Sequence, residues 1–137
     1  MKVLVDTSVW SVALRHSISS KNSEQIKAQL TSLVEDGRVA IIGPIRQELL
    51  SGIKSSKQFE VLKKRLEPFK DIPIETEDYE LAAEFFNRCR VKGIQGSHID
   101  FLICAVSYRR ELPLFTTDKD FDQYGKHIEL KMFTGLG

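Results

Sequence analysis

The first ten residues, MKVLVDTSVW (residues 1–10), place a short apolar segment directly before a carboxylate. Residues 2–5 have the aliphatic, β-branched composition of a buried strand. Asp6 follows at once, and we predict a helix from residue 7 to about residue 15. Because a charge at the end of a buried strand costs desolvation energy unless it is paired, we expect Asp6 to have a partner.

Beyond this segment, strand-like and helix-like patterns alternate. Strands are predicted at residues 39–42, 71–74, 113–117 and 128–133. Helices are predicted at about residues 26–36, 44–51, 59–66, 75–92 and 97–111, with a polar loop at residues 17–23. This alternation predicts an α/β protein with right-handed crossovers and a mainly parallel sheet. The length favours a single domain over residues 1–137.

Composition limits the class of protein. Of 137 residues, 42% are hydrophobic and 28% charged, with a net charge of +1, so a globular core is expected and nucleic-acid binding is neither indicated nor excluded. Without a membrane span of roughly 18 apolar residues or a signal peptide, we predict a cytoplasmic protein with no membrane association. Cys89 and Cys104 lie in apolar helical patterns and are expected to be buried free thiols. Their spacing, with scattered histidines, does not favour zinc.

Two acids follow predicted strands, and two others lie on predicted helices. Asp6 and Asp118 come at the carboxyl ends of strands, which is where parallel sheets bind ligands. Asp100 begins the most apolar helix, and Glu48 borders the buried stripe of the helix at residues 44–51.

Each of these acids also has a purely structural interpretation. Asp6 is a suitable helix N-cap, and Asp118 suits a turn after a strand. The segment Ser97-His98-Ile99-Asp100 matches a capping box. Glu48 is typical of an exposed helix face. The nearby pair Asp120 and Asp122 is interpreted as solvated loop charges.

The four acids together favour a different explanation. A ring of carboxylates is mutually repulsive and raises the pKa of its members. A divalent cation removes that conflict, and an all-carboxylate site selects hard ions such as Mg²⁺ or Mn²⁺. The sequence therefore predicts that Asp6 is paired with a metal rather than with a side chain.

Four short motifs, in order, resemble a PIN domain: VDTSVW, a Glu in the helix after the second strand, HIDFLICAVS and LFTTDKDF. Their order and spacing are similar to those of VapC-type toxins of toxin–antitoxin pairs. The resemblance implies a three-layer α/β/α sandwich with a mainly parallel central sheet. It also implies a metal-dependent endoribonuclease that uses Mg²⁺ (or Mn²⁺). The implied catalytic and metal-binding residues are Asp6, Glu48, Asp100 and Asp118, with supporting hydroxyls from Thr7 and Thr116.

The same resemblance implies an RNA substrate, a cognate VapB-type antitoxin and a homodimer. An exposed apolar patch for the antitoxin is expected from Val9, Trp10, Val12 and Leu14, with the helical region around Phe59. Candidate phosphate contacts are Lys54, Lys57, Lys63, Lys64 and Arg65 on one side and Arg88, Arg90 and Lys92 on another. The more ordinary interpretation of each group is a solvated helix face.

Other functions remain to be weighed against a ribonuclease toxin. The chain has D-T-S rather than the D-x-D of a haloacid-type phosphatase, and Asp6 lacks the paired acid of a phosphate-transfer receiver domain. No P-loop or G-x-G-x-x-G is present. Another PIN-type nuclease remains open, as does a non-catalytic nucleic-acid or metal-binding module with a PIN fold.

Overall fold

Short strands alternate with helices along residues 1–14 and 20–135, which are the residues described in this computed structural model. The elements are β1 (Val3–Val5), α1 (Thr7–Leu14), α2 (Lys21–Glu35), β2 (Val39–Ala40), α3 (Gly43–Leu50), α4 (Ser56–Leu66), α5 (Thr76–Val91), α6 (His98–Arg109), β3 (Leu114–Phe115) and α7 (Asp120–Tyr124). The predicted α/β class is therefore confirmed.

The central strand of the sheet is β1. The strand order is β2-β1-β3, and both neighbours run parallel to β1. All three residues of β1 are fully buried, as their apolar composition predicts. Because parallel strands end at the same edge of a sheet, the residues that follow β1 and β3 come together there.

Helices cover both faces of this sheet. The chain moves from β1 to one edge through α1 and α2, and then returns past β1 to the other edge before β3. Right-handed crossovers that travel in opposite directions lie on opposite faces, which produces the expected three layers. Helix α1 packs against α2 and α3, while α5 packs along α6.

The core is centred on β1 and α6. Residues Phe101 to Ser107 of α6 are all buried, which confirms the prediction that this apolar helix is internal. Cys89 and Cys104 are buried free thiols, also as predicted.

Two predicted strands are much shorter than expected. Residues 71–74 contribute a single bridge between Ile41 and Asp71, and residues 128–133 a single bridge between Leu114 and Met132. Pro73 has no N–H to donate, so the first ladder cannot continue through it. The second ladder, between β3 and residues 128–133, is short because β3 is only two residues long.

Two predicted loops were also wrong in part. Helix α2 begins at Lys21, inside the polar segment 17–23, because Ser20 caps it by accepting a bond from the Ser23 amide at 3.1 Å. Residues 15–19 lie outside the described residues, and with them the predicted end of the first helix. Asp120 and Asp122 are exposed, as expected, but they belong to α7 rather than to a loop.

The predicted apolar surface patch is wrong for two of its members. Val9 is fully buried and Trp10 is 4% exposed, with the indole packed edge-on against Phe69. Both belong to the core between α1 and its neighbours. In the described ranges, no helix is long and apolar enough to cross a membrane.

Candidate active site

Asp6 lies at the edge where β1 and β3 end. Its amide donates to the Phe115 carbonyl at 2.9 Å, which holds it beside β3, and its side chain is almost fully buried. Its Oδ2 accepts two bonds, from Ser8 Oγ and from Thr116 Oγ1, both at 2.8 Å. The prediction that Asp6 is paired with a metal and not with a side chain is therefore wrong for this oxygen. Both donors are neutral, however, so they leave the charge uncompensated.

Thr116 connects Asp6 with Asp118. While its hydroxyl donates to Asp6, it accepts a bond from the Asp118 amide at 3.0 Å. Asp118 Oδ1 in turn accepts from the Asp120 amide at 2.9 Å, as in an Asx-turn. The turn interpretation of Asp118 and its position beside Asp6 are therefore compatible.

Asp100 is half-buried in the first turn of α6. Its amide donates to Ser97 Oγ at 3.0 Å, so Ser97 caps the helix as predicted. The carboxylate bonds instead to Tyr124, whose hydroxyl donates to Asp100 Oδ2 at 2.6 Å. The backbone half of the expected capping box is thus formed, and the carboxylate has a different partner.

Glu48 projects from α3 and is exposed. Thr7 Oγ1, in the first turn of α1, donates to Glu48 Oε2 at 2.9 Å. This bond joins the third helix to the residue that follows Asp6. Each of the four predicted acids therefore has one oxygen held by a hydroxyl or an amide.

The closest group of acids consists of Asp100, Asp118 and Asp120, which offer oxygens within 4.8 Å of one another. Two unit charges at that separation repel by about 1 kcal/mol in water and about 3.5 kcal/mol at an effective dielectric constant of about 20. Burial raises the pKa of Asp100, and the charges of Asp118 and Asp6 add to that effect. Hydrogen bonds from Tyr124 and Ser97 oppose the increase without cancelling it.

No cationic side chain compensates this charge within the described ranges. The ion pairs found there involve other acids, and no Lys, Arg or His nitrogen of residues 1–14 and 20–135 lies within 4.0 Å of the acidic group. The name acidic group is used for the four predicted acids, Asp6, Glu48, Asp100 and Asp118, together with Asp120.

These residues fit a hard divalent cation. The available donors are carboxylate oxygens, which suit Mg²⁺ or Mn²⁺, and neither of the two buried thiols, which would suit a softer metal, belongs to this group. Because neutral donors hold one oxygen of each predicted acid, the carboxylates are oriented but keep their negative charge. Asp100, Asp118 and Asp120, whose carboxylate oxygens lie within 4.8 Å of one another, are therefore suited to hold the ion.

Sequence reasoning missed three residues that take part in this arrangement. Ser8 lies inside the VDTSVW motif, where a second hydroxyl close to Asp6 is the signal that indicates its role. Asp120 was assigned to a solvated loop, although its position two residues after Asp118 allows an Asx-turn. Nothing in the sequence near Tyr124 indicates its bond to a residue 24 positions away.

Comparison with known proteins places the chain in a family. The family model described as PIN domain matches residues 3–127. The solved FitAcB complex of Neisseria gonorrhoeae is similar at 25% identity and a TM-score of 0.75, with 96% of each chain covered. VapBC2 of Rickettsia felis, bound to a promoter DNA fragment, is similar at 20% identity and a TM-score of 0.75, covering 97% of this chain and 98% of that one. Comparison with curated proteins gives no match.

A further solved structure belongs to the VapBC family of toxin–antitoxin systems. It is VapBC-5 of Mycobacterium tuberculosis, similar at 19% identity and a TM-score of 0.68, covering 96% of this chain and 97% of that one. The chain belongs to the PIN-domain family, whose members are nucleases that generally use divalent metals. The resemblance to PIN domains inferred from the four motifs is confirmed, and the fold is similar to that of the VapBC structures.

Proposed function

We propose that this protein is a metal-dependent endoribonuclease that uses Mg²⁺ (or Mn²⁺), and that it acts as the toxin of a toxin–antitoxin pair. The single observation that carries the proposal is the set of carboxylates of Asp100, Asp118 and Asp120, whose oxygens lie within 4.8 Å of one another. Neutral donors hold the predicted acids, and no cationic partner lies near them among the described residues. A structural role would favour arginine or lysine partners, because they stabilise buried carboxylates directly.

The proposed roles of the residues follow from their positions. Asp6 and Asp100 are proposed as the direct ligands because the resemblance to PIN domains implies that role, and one oxygen of each is held by a hydroxyl. Asp118 and Glu48 position the attacking water or a second ion, and Thr7 and Thr116 orient Glu48 and Asp6. When bound, the ion activates water and stabilises negative charge on the phosphoryl oxygens. No nucleophilic Ser or Cys is required.

The first experiment is cleavage of a short unstructured RNA by protein freed of any antitoxin, with Mg²⁺ and Mn²⁺ titrated separately. Asp6→Ala and Asp100→Asn should each reduce cleavage by about a hundredfold to a thousandfold, because each removes a negative charge from the proposed metal site. Asp122→Asn is the matched control, since this aspartate is exposed on α7 outside the acidic group. A DNA oligonucleotide of the same sequence tests the choice of RNA.

The alternatives give different results. Cleavage of DNA in preference to RNA would indicate another kind of PIN nuclease. Metal binding without cleavage of either polymer would indicate a non-catalytic module. Turnover retained in Asp6→Ala with Mg²⁺ would contradict the assignment of the acidic group.

The proposed antitoxin has a suitable groove. Between α1, α3 and α4 lies a groove of about 590 Å³ whose apolar lining includes Leu14, Leu49, Ile53 and Leu62. The groove supports the expected contribution of Leu14 and of the helical region around Phe59 to the antitoxin contact. Val9 and Trp10 cannot take part in that contact because they are buried in the core. Co-purification with a small neighbour-encoded protein tests the partnership, and Leu62→Glu should abolish it without affecting RNA cleavage by the free protein.

A homodimer is proposed on family analogy. A second apolar groove of about 500 Å³ between α5 and α6 supports it, since its lining includes Phe86, Ile99 and Tyr79, which is 56% exposed. Light scattering after gel filtration should give twice the mass of the chain. Tyr79→Glu should give a monomer, and an unchanged dimer would show that this face is not the contact.

RNA affinity requires basic residues outside the acidic centre. The last turn of α4 carries three adjacent basic residues, Lys63, Lys64 and Arg65, and this cluster supports them as phosphate contacts. Arg88 and Arg90 instead lie over the rings of Phe85 and Phe86, so their guanidinium groups already have a contact within the fold. Lys63→Gln should reduce the slope of log affinity against log salt by about one unit if the residue contacts a phosphate. An unchanged slope would assign it to solvated surface.

A further inference from the structure

Tyr124 lies directly beneath the acidic group. Its hydroxyl donates to Asp100 Oδ2 at 2.6 Å, and the side chain is only 1% exposed although it belongs to the short helix α7. A buried tyrosine normally finds a hydrogen-bond partner, and here that partner is a carboxylate of the proposed metal site. The hydroxyl therefore contacts a functional group rather than a backbone atom of the core.

The ring is held rigidly in this position. It packs against Phe101 with the ring centroids 4.8 Å apart and against Phe121 at 5.2 Å. Phe101 is the residue that follows Asp100, so the same aromatic cluster positions both partners of the bond. Such packing restricts the rotamers of the tyrosine and fixes where its hydroxyl lies.

Gly96 leaves the space that this hydroxyl occupies. A Cβ at position 96 would lie 2.5 Å from the Tyr124 hydroxyl oxygen, 2.8 Å from its Cε1 and 2.8 Å from Phe101 Cε2. These distances are far below van der Waals contact, and the packed rings cannot move aside easily. The close approach explains a glycine just before the Ser97 cap of α6.

The bond has a specific consequence for Asp100. The terminal torsion of an aspartate is broad, so an unbonded carboxylate samples many orientations. Donation to Oδ2 selects one orientation and leaves Oδ1 without that donor.

We propose that Tyr124 is a positioning residue of the metal site, which orients the Asp100 carboxylate through its hydroxyl, and that Gly96 provides the space for this contact. The inference rests on the proposed function, since it assumes that Asp100 binds a divalent cation. Partners that orient metal-binding carboxylates typically change metal affinity by about 10–100-fold when they are removed.

The test is the affinity of the intact protein for Mn²⁺, measured by titration calorimetry and by the electron paramagnetic resonance signal of free Mn²⁺. Tyr124→Phe keeps the ring and removes only the hydroxyl, so Kd should rise by about tenfold. The matched control is Tyr108→Phe, at the other end of α6, where the phenol is 47% exposed and packs edge-on against Phe85. Its Kd should equal that of the wild type.

A second pair of variants separates orientation from a general loss of packing. In an Asp100→Asn background, Tyr124→Phe should produce no further change in residual Mn²⁺ affinity, because the oriented carboxylate is already gone. Gly96→Ala should weaken Mn²⁺ binding more in the wild type than in Tyr124→Phe, where the closest contact has been removed. Melting temperatures in EDTA, measured for every variant, show that the fold is intact.

The outcomes are distinguishable. Wild-type binding of Mn²⁺ with an equal Kd in Tyr124→Phe overturns the positioning role and leaves the proposed function standing. An equal loss from Tyr124→Phe in the wild type and in the Asp100→Asn background also overturns it. Absence of Mn²⁺ binding by the wild type overturns the proposed function, and the inference with it.

Discussion

Two groups of acidic side chains lie at opposite ends of α6, and they differ in the charge of their hydrogen-bond partners. At the C-terminal end, Arg109 and Arg110 bond to Asp78, which is fully buried, at 2.8 Å and 2.6 Å. At the N-terminal end, about 18 Å away along a helix of 12 residues, Asp100 and its neighbours have only neutral donors among the described side chains.

The charges of the first group are satisfied within the fold. Burial tends to raise the pKa of Asp78, but bonds from Arg110, the Glu75 amide and Arg109 outweigh it and hold that pKa well below its usual range. Burial raises the pKa of Asp100 as well, and no cationic side chain of the described residues reverses the effect. The presence of a cationic partner, rather than the degree of burial, therefore distinguishes a structural acid such as Asp78 from an acid such as Asp100 that remains available for a ligand.

The largest expected effect on stability comes from Asp78→Asn. The change leaves Arg109 and Arg110 without their buried partner, so the free energy of unfolding should fall by about 2–4 kcal/mol. This loss is smaller than the loss from breaking a fully buried ion pair, because both arginines are partly exposed to solvent. Urea denaturation measures it, with the exposed Glu77→Gln as control. Because the folded pKa of Asp78 is lowered, this stability should be present near neutral pH and lost as the pH falls below about 4.

A bound metal ion should stabilise the folded protein through the acids at the N-terminal end of α6 and not through Asp78. With Mn²⁺ at one hundred times its Kd, the free energy of unfolding should rise by about 2.7 kcal/mol. Thermal melting with and without EDTA measures the gain, which should persist in Asp78→Asn and disappear in Asp100→Asn. An equal gain in Asp100→Asn would mean that the ion binds elsewhere.

Asp100→Asn should make the metal-free protein more stable. The raised folded pKa means that the charged form of Asp100 is disfavoured in the fold, so the wild type carries a cost that grows as the pH rises above the ordinary aspartate pKa. In EDTA at pH 7.5 the melting temperature should rise by about 2–5 °C, and the difference should vanish at acidic pH. Asp122→Asn is the control, and a lower melting temperature for Asp100→Asn would contradict the electrostatic account.

The smallest expected effect is that of Ser8→Ala. Asp6 Oδ2 keeps its bond from Thr116, so only one of two donors is lost, at a cost of about 1 kcal/mol or roughly fivefold in kcat/KM. Ser11→Ala, on the same helix, should have no effect on RNA cleavage. A loss as large as that of Asp6→Ala would indicate that Ser8 has a more direct role.

Much of the site could be predicted because its acids follow strong local patterns. The apolar segment before Asp6 and the strand before Asp118 both end at the sheet edge, and parallel pairing brings those ends together. Asp100 was identifiable because it begins a helix whose apolar centre requires burial. The two short ladders and helix α7 were missed, since single bridges and a five-residue helix leave little signal in the sequence.

By itself, the sequence determined the order of the main strands and helices, the burial of α6 and the placement of Asp6, Asp100 and Asp118 at element ends, because each depends on a local pattern of apolar and capping residues. Only the tertiary structure decided which donor each carboxylate meets. Asp78 and Arg109 are 31 positions apart, and Asp100 and Tyr124 are 24 apart. Contacts at such separations depend on how the elements pack, and no periodicity along the chain encodes them.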